Sequence, residues 1–63
     1  MLNAVKEVVN KYDNEASVEI INRKDGYIEI KVRSYNKYCD KAKIWISLHE
    51  MFKDMDKVII EVL

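Results

Sequence analysis

The sequence predicts a two-layer α+β domain of order α-β-β-α-β, a three-stranded mixed sheet with two helices on one face. Three observations predict it. Residues 17–34 alternate apolar and polar side chains on both sides of the chain's single glycine. Residues 39–55 set their polar side chains in one stripe at helical steps. Residues 57–63 return to a period of two. A chain of 63 residues has room for one core, so residues 1–63 read as a single small domain.

The first element is an amphipathic helix from about Leu2 to Tyr12. Leu2, Val5, Val8, Val9 and Tyr12 fall on one face, and Asn3, Lys6, Glu7, Asn10 and Lys11 fill the other. Asp13-Asn14-Glu15-Ala16 is its polar exit.

The hairpin from Ser17 to Ser34 has a register that its side chains choose. Val18 and Ile20 alternate with Glu19 and Ile21; Ile28, Ile30 and Val32 alternate with Tyr27, Glu29, Lys31 and Arg33. A two-residue Asp25-Gly26 loop would oppose Ile20 to Lys31 and Arg23 to Ile28. A three-residue loop, Lys24 to Gly26, opposes Ile20 to Ile30, Val18 to Val32 and Glu19 to Lys31. Because a one-residue slip exchanges the two faces, the second register is expected. It calls for a type I turn with Gly26 left-handed in a G1 bulge.

Tyr35-Asn36-Lys37-Tyr38 reads as a loop. From Cys39 to Met55, Asp40, Lys43, Ser47, Glu50 and Asp54 make a polar stripe opposite Ile44, Trp45, Leu48, Met51, Phe52 and Met55. A long helix is preferred, since the stripe outlasts any alternation and Ala, Lys, Leu, Glu and Met are good helix formers. The rival reading takes Lys41–Ser47 as a strand and gives α-β-β-β-α-β, with Ser47 and Glu50 as the capping box of a short helix. The last strand, Lys57 to Leu63, follows a helical connection, so it is expected parallel to its neighbour with a right-handed crossover. The expected core is Val5, Val8, Val18, Ile20, Ile28, Ile30, Val32, Leu48, Phe52, Val58, Ile60 and Val62. The open sheet face then carries Ile21, Tyr27, Glu29, Lys31, Arg33, Ile59 and Glu61.

Composition narrows the function classes. Apolar residues make up 49% of the chain, too many for disorder. At this length the expected net stability is only ~3–5 kcal/mol. The formal net charge is zero, which gives little repulsion between copies, so self-association, as in a homodimer, is an expectation. Cys39 is the single cysteine, which points to a reducing, cytoplasmic setting. Neither a signal peptide nor a membrane-length apolar run is recognisable.

No motif for catalysis, metal or cofactor binding is recognisable, and none of these is expected. His49, the single histidine, lies one helical turn from Trp45 and Phe52 and reads as a partly buried structural residue. Cys39 reads as a small apolar residue near a helix start, lacking the second thiolate of a redox pair. Asp13, Glu15, Asp54 and Asp56 read as solvated helix ends, without calcium-loop spacing. No glycine-rich loop is present to cradle a phosphate.

The charge is uneven along the chain. Residues 23–43 hold seven bases against three acids, while each flank has a net charge of −2. Tyr27, Tyr35 and Tyr38 lie in that basic segment. Bases with aromatics suit single-stranded nucleic acid, but a dedicated binder is usually basic overall.

From Val18 to Val62 the element order resembles the small iron–sulfur scaffold domain of NifU-type proteins. That family places a CxxC pair where this chain reads Tyr35-Asn36-Lys37-Tyr38-Cys39-Asp40, with one cysteine, so the resemblance implies no cluster here. The alternative element order resembles double-stranded-RNA-binding domains, whose basic helix start is echoed in Asp40-Lys41-Ala42-Lys43. The expected function is therefore a small non-enzymatic module, adaptor or inhibitor-like, that binds another protein and self-associates. Its candidate partner-binding residues are Ile21, Tyr27, Lys31, Arg33, Tyr35, Lys37 and Ile59. The alternative is nucleic-acid binding through residues 23–43.

Overall fold

The computed structural model describes residues 1–63. In order, the elements are α1 (Leu2–Asn10), β1 (Ser17–Asn22), β2 (Ile28–Arg33), α2 (Lys41–Met51) and β3 (Val58–Val62). One sheet of order β1-β2-β3 results, with β1 antiparallel and β3 parallel to the central β2. This is the α-β-β-α-β domain expected from the alternation and the polar stripe. Lys41–Ser47 lies within α2, so the reading with a fourth strand is set aside.

The hairpin has the expected register: Val18 opposes Val32, Glu19 opposes Lys31, and Ile20 opposes Ile30. Arg23 and Tyr27 close the loop through Arg23 N–H to the Tyr27 carbonyl at 2.8 Å, and Gly26 N–H donates to the Arg23 carbonyl at 3.2 Å. Gly26 has φ +88°, the left-handed backbone of a G1 bulge. A Cβ there would meet Lys57 only at ordinary contact distance, so the positive φ is what selects glycine.

Both helices cover the same sheet face. Val5 and Val9 from α1, Ile44 and Leu48 from α2, and Ile30 and Val32 from β2 are wholly buried and pack into one cluster with Phe52. Val18, Ile20, Ile28, Val58, Ile60 and Val62 close around it, half-buried. α1 packs on β1 and α2 on β3, which makes β2 the buried centre. Val9 and Ile44 are core residues missing from the expected core list.

The helix bounds differ from expectation at three ends. α1 stops at Asn10, and Lys11–Tyr12 form a turn. α2 begins at Lys41 because Asp40, expected in the polar stripe, is instead the N-cap: its Oδ1 accepts from Lys43 N–H at 3.2 Å. At the other end Phe52 leaves helical backbone (φ −109°, ψ 19°), and Met55 lies in the following turn. The buried stripe is consequently narrower than the apolar sequence. Trp45, Ile46, Met51 and Met55 are exposed, at 40–60% of their full surface.

Asp13 is also corrected. It is 5% exposed, not a solvated helix end. Its carboxylate accepts from Ser34 Oγ at 2.5 Å and from Glu15 N–H at 3.0 Å, joining the exit of α1 to the exit of β2. The Ser34 hydroxyl, then the Glu15 amide, hold the carboxyl below its ordinary pKa, with a smaller contribution from the Asn36 backbone. Burial pushes the other way and is outweighed.

Candidate functional site

The sheet face turned away from the helices is uncovered, and strand register orders it in rows. In one row Ile21, Glu29 and Ile59 stand side by side across the three strands. The next row is Glu19, Lys31 and Glu61, a base between two acids. Period two places these residues opposite the core-facing Ile20, Ile30 and Ile60. Tyr27 lies one row beyond Glu29, under the Arg23 guanidinium, which sits 5.9 Å from its ring centre.

Much of the positive charge here is matched. Arg23 pairs with Asp25 at 2.9 Å and with Glu29 at 3.0 Å. Lys31 opposes Glu19 as expected, but its ammonium lies 3.8 Å from Glu29 on its own strand. On α2, Lys43 stands 4.0 Å from the capping Asp40. The bases of residues 23–43 without an ion partner are Lys24, Arg33, Lys37 and Lys41, and these are divided among the hairpin turn, the end of β2, a loop and the start of α2. Three of the seven bases in the basic segment are thus held by acids, and the other four are spread over four elements.

At the end of the sheet away from the turn, Ser17, Glu19, Lys31, Arg33, Tyr35 and Leu63 line a shallow recess of about 230 Å³. Of the expected partner-binding residues, Ile21, Tyr27, Lys31, Arg33 and Ile59 share the open face, and Tyr35 joins Lys31 and Arg33 at the recess. Lys37 does not line it; its ammonium lies 5.2 Å from the Tyr38 ring in the loop before α2.

His49 and Cys39 lie apart from this face. His49 is exposed rather than partly buried, with its ring centre 3.8 Å from that of Trp45. Cys39 is half-buried against the core, and its N–H donates to the Asn36 carbonyl. No helix of the chain is long and apolar enough to cross a membrane.

The flank of α2 carries a contact that the sequence pattern does not predict. Tyr12 Oη and Ser47 Oγ share a hydrogen bond at 3.2 Å, which turns the Ser47 side of α2 toward the exit of α1. Trp45, two residues earlier and roughly 200° around the helix, is therefore on the side away from α1. The signal was present in the run Ile44-Trp45-Ile46, which carries more apolar surface than one helix face can bury.

No protein-family model, curated protein or solved structure matches this chain. Neither resemblance read from the sequence gains support, and the functional reading rests on the surface alone.

Proposed function

We propose that this chain is a small non-enzymatic module, adaptor or inhibitor-like, that binds another protein and self-associates. The observation that carries the reading is the row Ile21–Glu29–Ile59 with Tyr27 beside it, apolar surface on the one sheet face that neither helix covers. Tyr27 and Ile59 are each 37% exposed there. An uncovered face of mixed apolar and charged residues gains by desolvation against a partner, while its charges select that partner. Ion pairing at Arg23 and Lys31 also favours a protein over a polyanion, because a base already held by an acid releases fewer counterions.

The second reading is nucleic-acid binding, and one observation favours it. Tyr35 and Tyr38 are 70% and 84% exposed, with Arg33, Lys37 and Lys41 close in sequence and free of ion partners. A salt series separates the two readings. Protein binding predicts no oligonucleotide affinity at low salt, and recovery of one specific protein by pull-down, lost in Tyr27→Asp. Oligonucleotide binding that falls steeply with salt, and disappears when Arg33 and Lys37 are reversed to glutamate, overturns it in favour of the second.

A further inference from the structure

β1 and β3 are both edges of the sheet, but they offer different chemistry to a pairing strand. Lys57 carbonyl accepts from Ile28 N–H, Leu63 N–H donates to the Val32 carbonyl, and Leu63 carbonyl accepts from Ser34 N–H. Odd-numbered residues of the last strand thus face β2. The backbone groups of Val58, Ile60 and Val62 point outward, and no turn, loop or cap bond takes them. Their side chains are only half-buried, because nothing lies beyond them in the core layer. The strand Val-Ile-Ile-Glu-Val has no proline, and the charges along its edge, Glu61 and the preceding Lys57, are of opposite sign.

We infer that the free β3 edge pairs antiparallel with the β3 edge of a second copy, with the twofold axis at Ile59, forming a six-stranded sheet. This rests on the self-associating part of the proposed function and names its surface. Charge fixes the register. Centred on Ile59, each Lys57 stands opposite Glu61 of the other copy, twice by symmetry, and Ile59 opposes Ile59. Neither Lys57 nor Glu61 has an ion partner in the single chain. In the core layer Val58 then opposes Ile60 of the second copy, apolar against apolar. Centring on Glu61 would oppose like charges; centring on Ile60 would set Ile59 against Glu61 and lose both ion pairs.

The β1 edge is a poorer match. A register centred on Ile21 would oppose Glu19 to Arg23, but Arg23 is already held by Asp25 and Glu29. On the core side the same register sets Asn22 against Ile20.

Apolar surface beside the edge supports the choice of β3. A short edge alone covers less than the roughly 800 Å² per partner of a stable interface. α2 packs over β3, and its flank away from α1 carries Trp45, 46% exposed, with the His49 ring tilted against it. A perpendicular twofold brings the two α2 flanks toward each other over the junction and adds their apolar surface to it.

The test is sedimentation velocity from about 1 μM to 1 mM, spanning the affinities of weak to moderate interfaces, with the emission of Trp45, the sole tryptophan, recorded in parallel. The expected result is a dimer whose formation shifts Trp45 emission to the blue. Lys57→Glu and Glu61→Lys each weaken association about tenfold or more, equivalent to ~1.4 kcal/mol, and the double exchange restores it to within about threefold of the original. Both side chains are outside the core, and unchanged circular dichroism with recovery in the double variant separates lost pairing from lost folding. A monomer throughout the range overturns the inference, as does a dimer indifferent to both single changes. If the chain is monomeric yet captures a protein in a manner lost in Ile21→Asp, the edge pairing falls and protein binding stands. If neither occurs, both fall.

Discussion

The two edges of this sheet flank the same central strand and differ in what they present. β1 ends in Asn22 and the ion-paired Arg23, and it is tied into a hairpin whose loop is closed by its own hydrogen bonds. β3 presents outward backbone groups beside three half-buried β-branched side chains and two charges of opposite sign without partners. Edge position alone therefore does not decide which strand recruits another. Both edges leave outward backbone groups; the decision follows from the charges beside them, which are already paired at Arg23 near β1 and unpaired at Lys57 and Glu61 beside β3.

The comparison presupposes a folded monomer, so the largest effect comes from the core that holds both edges. Leu48 is fully buried between α2 and the sheet. Leu48→Ala is expected to cost about 2–5 kcal/mol, comparable with the ~3–5 kcal/mol available to a domain of this size. The expected outcome is loss of a cooperative thermal transition by circular dichroism. A variant that melts like the original would show that the helix layer is not what holds the sheet.

The edges themselves are compared by matched charge reversals. Glu61→Lys at β3 weakens self-association about tenfold, whereas Glu19→Lys in the same row at β1 leaves it within about twofold. Equal effects from the two variants would erase the distinction between the edges. A smaller effect is expected at the turn that closes the β1 side. Gly26→Val costs about 1 kcal/mol or more, read by urea unfolding, because φ +88° is strained for a β-branched residue. No loss would mean that the bulge is not a rigid part of the hairpin.

Acid sharpens the picture at the opposite end of the hairpin. Asp13 has its pKa lowered by the Ser34 hydroxyl and the Glu15 amide. A depressed folded pKa means that the unfolded chain takes up the proton first as pH falls. The contribution is complete above the ordinary carboxylate pKa and is lost as pH falls through the lower folded value. Urea midpoints are expected to fall below about pH 4 in the original chain, and to fall less steeply in Asp13→Asn. Identical profiles would place the acid sensitivity elsewhere.

How far the fold was legible depends on how each element encodes itself. The strands and the hairpin register were legible because a period of two leaves one choice that keeps charge off the core face, as Ile20 opposite Ile30 illustrates. Gly26 after Asp25 places the turn, and the strand register chooses its length. The extent of α2 was less legible. Asp40 fits a polar stripe and an N-cap equally well until a backbone N–H is seen to meet it, and Met55 continues a periodicity that the backbone abandons at Phe52. Asp13 was misread because its partner Ser34 is 21 residues away, a distance over which local pattern carries no information. The open face was legible as a set of residues, down to Ile21, Tyr27 and Ile59. Its neutralised bases were not, since the Arg23 and Lys31 pairs depend on side-chain placement. The unmatched edge was invisible in the sequence, because outward-facing backbone groups depend on which strand lies in the middle.

The most direct measurement is residue-resolved amide exchange at concentrations above and below the dimer midpoint. Pairing at β3 predicts that the amides of Val58 and Ile60 exchange slowly in the concentrated sample and quickly on dilution, while the outward amides of Val18 and Ile20 on β1 exchange quickly in both. Fast exchange at Val58 and Ile60 at every concentration, or protection that appears on β1 instead, would contradict the account.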